Sequence, residues 1–223
     1  MARLTATDMV AIARDCLGGE TSETLSDARI LRFLNQSYLE LCSRYHYDQL
    51  STSTTITTAS GTSEYELSVS DVLEISVIVD DTNNNKLYTM SEYQYHTYVQ
   101  GSTSSGSPDS WYIDGVGSNN RWNLMLYPTP AGTYTLNVYY TKEPTELVLS
   151  PTATSPIIPS AWDDSIIYKA VSRGWAQLGD LEASEKWKKL SMVNDSAAYK
   201  STYHPSQRPD RMGSIVGMAL RNA

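Results

Sequence analysis

Apolar residues recur at helical spacing near both ends of the chain and alternate with polar ones between them. Thr5, with Asp8 three residues on, is a helix start of the capping-box type, and Gly18-Gly19 closes that segment. Ser26 opens a second helix, with Leu25 and Ile30 placed as a hydrophobic staple. Ile30, Leu34, Tyr38, Leu41 and Tyr45 then mark one stripe, widened by Leu31 and Cys42. At Ser51 the period changes. Ser51 to Ser63 is uncharged and mostly Ser and Thr, which suits strands and turns. Leu73, Ile75, Val77 and Val79 alternate with Glu74, Ser76 and Ile78 as a half-buried strand. Asp81 to Lys86 turns the chain, and Leu87 to Met90 returns as the partner strand.

A short helix over Ser91 to Val99 and a loop over Gly101 to Pro108 follow. Trp122, Leu124 and Leu126 then alternate with Asn123 and Met125, and Tyr134, Leu136, Val138 and Tyr140 with Thr135, Asn137 and Tyr139. Pro128 to Gly132 reads as a hairpin turn joining those two runs. Leu147 to Trp162 is uncharged and holds Pro151, Pro156 and Pro159, so it reads as a linker. Ser160 caps a further helix with Asp163 at the third position; Ile166, Ala170, Val171 and Leu178 mark its buried side. Gly179-Asp180 breaks the chain, and Leu181 to Tyr203 forms a last helix carrying Trp187, Leu190, Val193 and Ala197.

The fold class expected is α+β. Helices of both chain ends form one bundle, an antiparallel β domain is inserted in it, and an extended C-terminal tail follows. The divisions are 1–50 and 160–203 for the bundle, 51–145 for the β domain, 146–159 for a linker and 204–223 for the tail. No stretch approaches the roughly 18 apolar residues of a membrane span, mean hydropathy is −0.37, and the N-terminus lacks the apolar core of a secretory signal. The expectation is a soluble protein made in the cytoplasm.

Charge narrows the partners. The chain has 17 basic and 25 acidic residues, a net −8, which argues against a grip on DNA phosphates. The charge is uneven: His204 to Ala223 carries Arg208, Arg211 and Arg221 against Asp210, and the rest of the chain holds the acidic excess. Sixteen Tyr and five Trp against one Phe favour half-wet surfaces and subunit interfaces over dry cores. Cys16 and Cys42 fall at apolar helical positions and read as buried free thiols.

Motifs that carry chemistry are missing. His46, His96 and His204 lie in different segments, without metal-ligand spacing. Gly115-Val116-Gly117 lacks the third glycine and following helix of a nucleotide turn. Asp81, Asn83, Asn85 and Glu92 partly match a calcium loop, but Lys86 stands where its sharp turn needs glycine. Asp163 and Asp164, in the first turn of a helix, are better explained by the helix dipole than by catalysis. No catalytic, cofactor or metal residue is expected, and no cofactor.

Five stretches together resemble the head-to-tail adaptor proteins of tailed bacteriophages, including the podophage tail tubular protein A type. Asp27, Ile30, Leu34, Asn35 and Ser37 fit a D-x-x-I-x-x-x-L-N-x-A/S helix. Tyr65 and Leu67 fit the entry to the β domain, with Ser68 where that family has Pro. Pro108, Trp111 and Gly115 fit a P-x-x-Y/W-x-x-x-G strand, and Leu124, Leu126, Tyr127, Pro128 and Pro130 an L-x-L-Y-P-x-P turn. Ile158, Pro159, Trp162, Asp163 and Asp164 fit the start of the C-terminal helix pair.

The resemblance implies a non-enzymatic virion protein that works at the neck after assembly in the host cytoplasm. It implies a homo-oligomeric ring, typically of twelve, docked under the portal protein and joined to a downstream neck or nozzle protein. Genomic DNA would pass its lumen without specific binding, and no membrane is involved. The C-terminal arm is the implied portal contact, through Arg208, Arg211, Met212, Ile215, Val216, Met218, Leu220 and Arg221. The competing expectation is a β-rich module that binds carbohydrate or a receptor, since Tyr and Trp also line sugar sites.

Overall fold

Two compact units divide the chain, one built from Met1–Leu41 with Thr145–Ala223 and the other from Cys42–Pro144. The computed structural model describes residues 3–19, 24–99, 101–117, 119–149 and 153–202. Residues 204–223, including every residue of the expected portal contact, lie outside them.

The first unit is helical. α1 (Ala6–Cys16) begins with the expected box: Thr5 Oγ1 accepts from the Asp8 amide while the Asp8 carboxylate accepts from the Thr5 amide. The Thr5 hydroxyl, which donates to the same carboxylate, and then the Thr5 amide hold the Asp8 carboxyl below the usual carboxylate range. α2 (Asp27–Arg44) starts after Ser26, whose carbonyl accepts the Arg29 and Ile30 amides, and the staple residues Leu25 and Ile30 are both buried. α4 (Asp163–Leu178) and α5 (Leu181–Thr202) pack against each other, and α1 packs against α4. Gly179 joins them at φ 88°, the left-handed conformation that a helix end needs and that glycine adopts without strain. Asp180 then caps α5, accepting the Ala183 amide at 2.8 Å.

The start of α4 differs from expectation. A 3-10 turn over Ser160–Trp162 precedes it, and Trp162, which makes no side-chain cap bond, occupies the position expected of Ser160. The Pro-rich approach to this turn is pinned rather than loose. Asn35 exchanges two hydrogen bonds with the Leu147 backbone, Tyr38 Oη accepts from the Ile157 amide, and the Ala6 amide donates to the Thr154 carbonyl.

The second unit is a seven-stranded sheet ordered β1-β9-β3-β4-β6-β7-β2, with a small two-stranded sheet, β5-β8. The strands are β1 (Ser51–Thr57), β2 (Glu64–Glu66), β3 (Val72–Asp80), β4 (Asn85–Thr89), β5 (Ser105–Gly106), β6 (Ser110–Val116), β7 (Trp122–Tyr127), β8 (Thr129–Pro130) and β9 (Thr135–Lys142). A short helix, α3 (Glu92–Gln94), continues as a π-turn over Tyr95–Val99. Ile56, Leu67, Ile75, Ile78, Trp111, Leu124, Leu126, Leu136 and Val138 form the core of this unit.

Three expectations are corrected here. The sheet is mixed, because β4 pairs with β6 in parallel, as does β5 with β8. Pro128 to Gly132 is not a hairpin turn: β7 pairs with β6 and β2, whereas β9 pairs with β1 and β3, so the segment crosses between the halves of the sheet. The inward face of β3 is also not its odd positions. Register shifts at Val72/Glu74 and Ile75/Val77 turn Val72, Ile75, Ile78 and Asp80 inward.

Candidate interaction surfaces

α5 is polar on its packed side. Lys169 of α4 places Nζ 3.2 Å from Asp195 Oδ2 and 3.4 Å from Glu40 Oε1 of α2. Glu40 also pairs with Arg173 at 2.7 Å, and Arg173 donates to Gln36 Oε1 at 3.1 Å. Above this hub Ser172 donates to the Ser184 carbonyl at 2.9 Å; below it Trp162 Nε1 donates to Thr202 Oγ1 at 3.1 Å. Ser184, Trp187, Ser191, Asp195, Ala198 and Thr202 therefore share the packed face, where Trp187 meets the ring of Tyr168.

The opposite face of α5 turns its apolar residues outward. Leu190 is 41% exposed and Val193 65%, with Ala197 exposed beside them. Lys186, Lys189 and Lys200 lie along the same face at helical spacing and are exposed. Sequence reasoning found Leu190, Val193 and Ala197 as a stripe. It missed their orientation, because an ion-pair hub and small polar residues hold the packed side.

The second unit presents a contrasting surface beside α3. Ser91 and Gln94 form a capping box that starts α3, which puts Glu92 and Tyr93 outside. Tyr95 stacks on Tyr112 with ring centroids 4.4 Å apart, and Tyr112 Oη donates to Asp114 Oδ1 at 2.7 Å. Burial, then that bond and the negative charges of Asp114 and Glu92, push the Tyr112 phenol upward, so it stays protonated. Tyr88 and Tyr93 are each 72% exposed. Tyr88, Met90, Gln94, Val99 and Ser110 line an open cleft of about 260 Å³ beside them. Glu92 and Asp109, each within two residues of the lining, are exposed, as is Asp114.

The remaining sequence candidates have structural roles. Two oxygen donors of the calcium-like run, Asp81 and Asn83, are engaged in side-chain hydrogen bonds at the β3–β4 turn. Buried Asp80 accepts the Thr82 and Asn83 amides, the Asn83 side chain and the Ser107 hydroxyl, while Asp81 accepts from Asn137. Asn84 takes φ 54°. Among the described residues no group of three His, Cys, Asp or Glu is placed to hold a metal ion. His46 lies 3.4 Å from both Ser51 Oγ and Thr141 Oγ1, and His96 lies 3.8 Å from Glu92; His204 is outside the described residues. Cys42 is buried, which pushes its thiol up to about 12, whereas Cys16 is only half-buried, not buried as expected. Asp164 is exposed; Asp163 is buried, and that burial raises its carboxyl to about 6 against the opposing pull of Arg3. No described helix is long and apolar enough to cross a membrane.

The family model described as SU10 adaptor protein matches residues 4–213. No curated protein matches the chain. Among solved structures, a chain from the neck of an empty GTA particle, computed with C6 symmetry, is 15% identical. That likeness covers 83% of this chain and 93% of the other at a TM-score of 0.26, too loose to bear on the fold. The family match supports the phage adaptor resemblance and does not extend to the podophage tail tubular protein A type. With nearly its whole length inside that model, the chain belongs to the SU10 adaptor protein family.

Proposed function

We propose that this protein is the non-enzymatic head-to-tail adaptor of a tailed phage, a ring of twelve subunits that sits below the portal and carries the tail machinery on its other side. The family match across residues 4–213 carries this reading. In it, the helices of 1–50 and 160–203 form one basal bundle, 51–145 the inserted domain, 146–159 its linker and 204–223 the arm that grips the portal. Arg208, Arg211 and Arg221 supply charge to that arm; Met212, Ile215, Val216, Met218 and Leu220 supply its apolar anchors.

The distribution of charge suits a passive conduit. Cys42–Pro144 holds eleven acidic and four basic residues, a net −7, so nearly all the excess of −8 lies in one unit. Repeated around a lumen, that unit would repel phosphates and let DNA slide. The protein belongs in the virion, at the neck. Native mass measurement tests the ring: a closed species near twelve times the 24.8 kDa protomer is expected, and a protomer that stays monomeric at micromolar concentration contradicts it. Duplex DNA should bind weakly at physiological salt. Micromolar, salt-sensitive binding by the purified protein would count against a passive lumen.

A further inference from the structure

We infer that the outer face of α5 docks on the acidic, tyrosine-bearing cleft beside α3 of a second copy of this chain, and that this heterologous contact joins neighbouring subunits. The inference rests on the ring reading above and specifies its interface. Two observations carry it, one from each unit. Leu190 and Val193 stand outward on α5 at 41% and 65% exposure, and Lys189 and Lys200 flank them. Lys186 on this face pairs with Glu182 at 2.8 Å, and the four lysines of α5 outnumber Glu182, Glu185 and Asp195, so the helix is net positive where the chain as a whole is negative.

The cleft on the other unit is its counterpart in both respects. Tyr88, Met90 and Val99 give it an apolar lining, and its volume of about 260 Å³ admits a branched aliphatic side chain. Exposed Glu92 and Asp109, each within two residues of the lining, add negative charge, and Tyr88 and Tyr93, each 72% exposed, offer rings to lysine stems and ammonium groups. An apolar knob inside a basic rim thus meets an apolar hole inside an acidic rim.

The occupant is a second copy because the complementary charges lie on different units of one chain. Exposed Lys189 and Lys200 lie on α5 and exposed Glu92 and Asp109 beside α3, so these two different faces attract where two like faces repel. A contact between two different patches is head-to-tail, the kind that generates rings. Electrostatic attraction at the rim also makes the contact salt-sensitive.

Charge reversal with complementation tests this. Lys189→Glu/Lys200→Glu makes the helix face acidic; Glu92→Lys/Asp109→Lys makes the cleft basic. All four positions are exposed, and melting temperatures within a few degrees of wild type are expected. By mass photometry each variant alone should lose assembly by roughly tenfold or more, since its two faces now repel. An equimolar mixture should regain closed oligomers, because each variant's helix face fits the other's cleft. If wild type assembles and either variant alone assembles as well as it does, or the mixture stays dissociated while both variants are folded, the interface is wrong and the ring reading survives. A wild type that never assembles overturns both. A double variant Leu190→Asp/Val193→Asp that melts lower yet still assembles would show that the chain covers this face itself, which also overturns the inference.

Discussion

Lys169 Nζ sits 3.2 Å from Asp195 Oδ2, and the two side chains are only 10% and 5% exposed. This pair joins α4 to α5, and the second contact of Lys169, to Glu40, extends the tie to α2. Buried charges attract strongly but lose their hydration, so such a pair stabilises little against an apolar replacement while removal of one member costs a great deal. Lys169→Met, which takes the buried ammonium away from Asp195, should lower stability by about 3 kcal/mol in denaturant titration. Lys169→Met with Asp195→Leu should recover most of the loss. Equal losses in the single and double variants would show that the pair does not set the α4–α5 packing.

Asp163 gives the helical unit a pH dependence of known sign. Burial raises its carboxyl from 3.8 to about 6 in the folded chain, so the native state binds a proton more tightly than the unfolded one. Its contribution is therefore full below pH 3.8 and is lost as the pH rises towards 6. Asp163→Asn should leave the melting temperature unchanged near pH 4 and raise it at pH 7.5, where the charged form costs up to about 3 kcal/mol. A variant that melts lower than wild type at pH 7.5 would mean that the charge is stabilised in place.

Gly174 of α4 lies against Leu17, the residue that caps the end of α1. A Cβ there would lie 2.8 Å from Leu17 Cδ2 and 3.1 Å from Leu17 Cδ1, and Leu17 is buried. Gly174→Val should cost about 2 kcal/mol through overpacking, although glycine is the poorer helix former. Combining it with Leu17→Ala should cost less than the two changes added separately. Strict additivity by thermal melts would place the strain elsewhere.

How far the sequence carries depends on the reach of each feature. Thr5 with Asp8 and Gly179-Asp180 act within one turn of helix, and both were legible. So was the inward row Leu136, Val138, Tyr140, because no bulge interrupts β9. The crossing at Pro128 to Gly132 was not. Proline and glycine mark a change of direction but not which strand the chain joins next, and here β3, β4 and β6 stand between β7 and β9. β3 hid its inward face because two register shifts broke the period of two. α5 misled by composition, since buried Asp195 is held inward by Lys169 of α4, while buried Ser191 donates back to the Lys188 carbonyl of its own helix, neither of which the apolar pattern records.

The C-terminal arm offers a separate test of portal attachment. Deleting the residues after Tyr203 should leave the melting temperature of the purified protein nearly unchanged and abolish its attachment to portal-bearing heads. A truncated protein that still joins heads at wild-type level would remove the arm from the contact.

The central claim is that this protein bridges head and tail, and in vitro complementation tests it most directly. DNA-filled heads produced without this protein are mixed with the purified full-length chain and imaged by electron cryomicroscopy. The account predicts a ring of density at the single portal vertex of each head, which then accepts tail components. Heads whose portal vertex stays bare at saturating protein would contradict it.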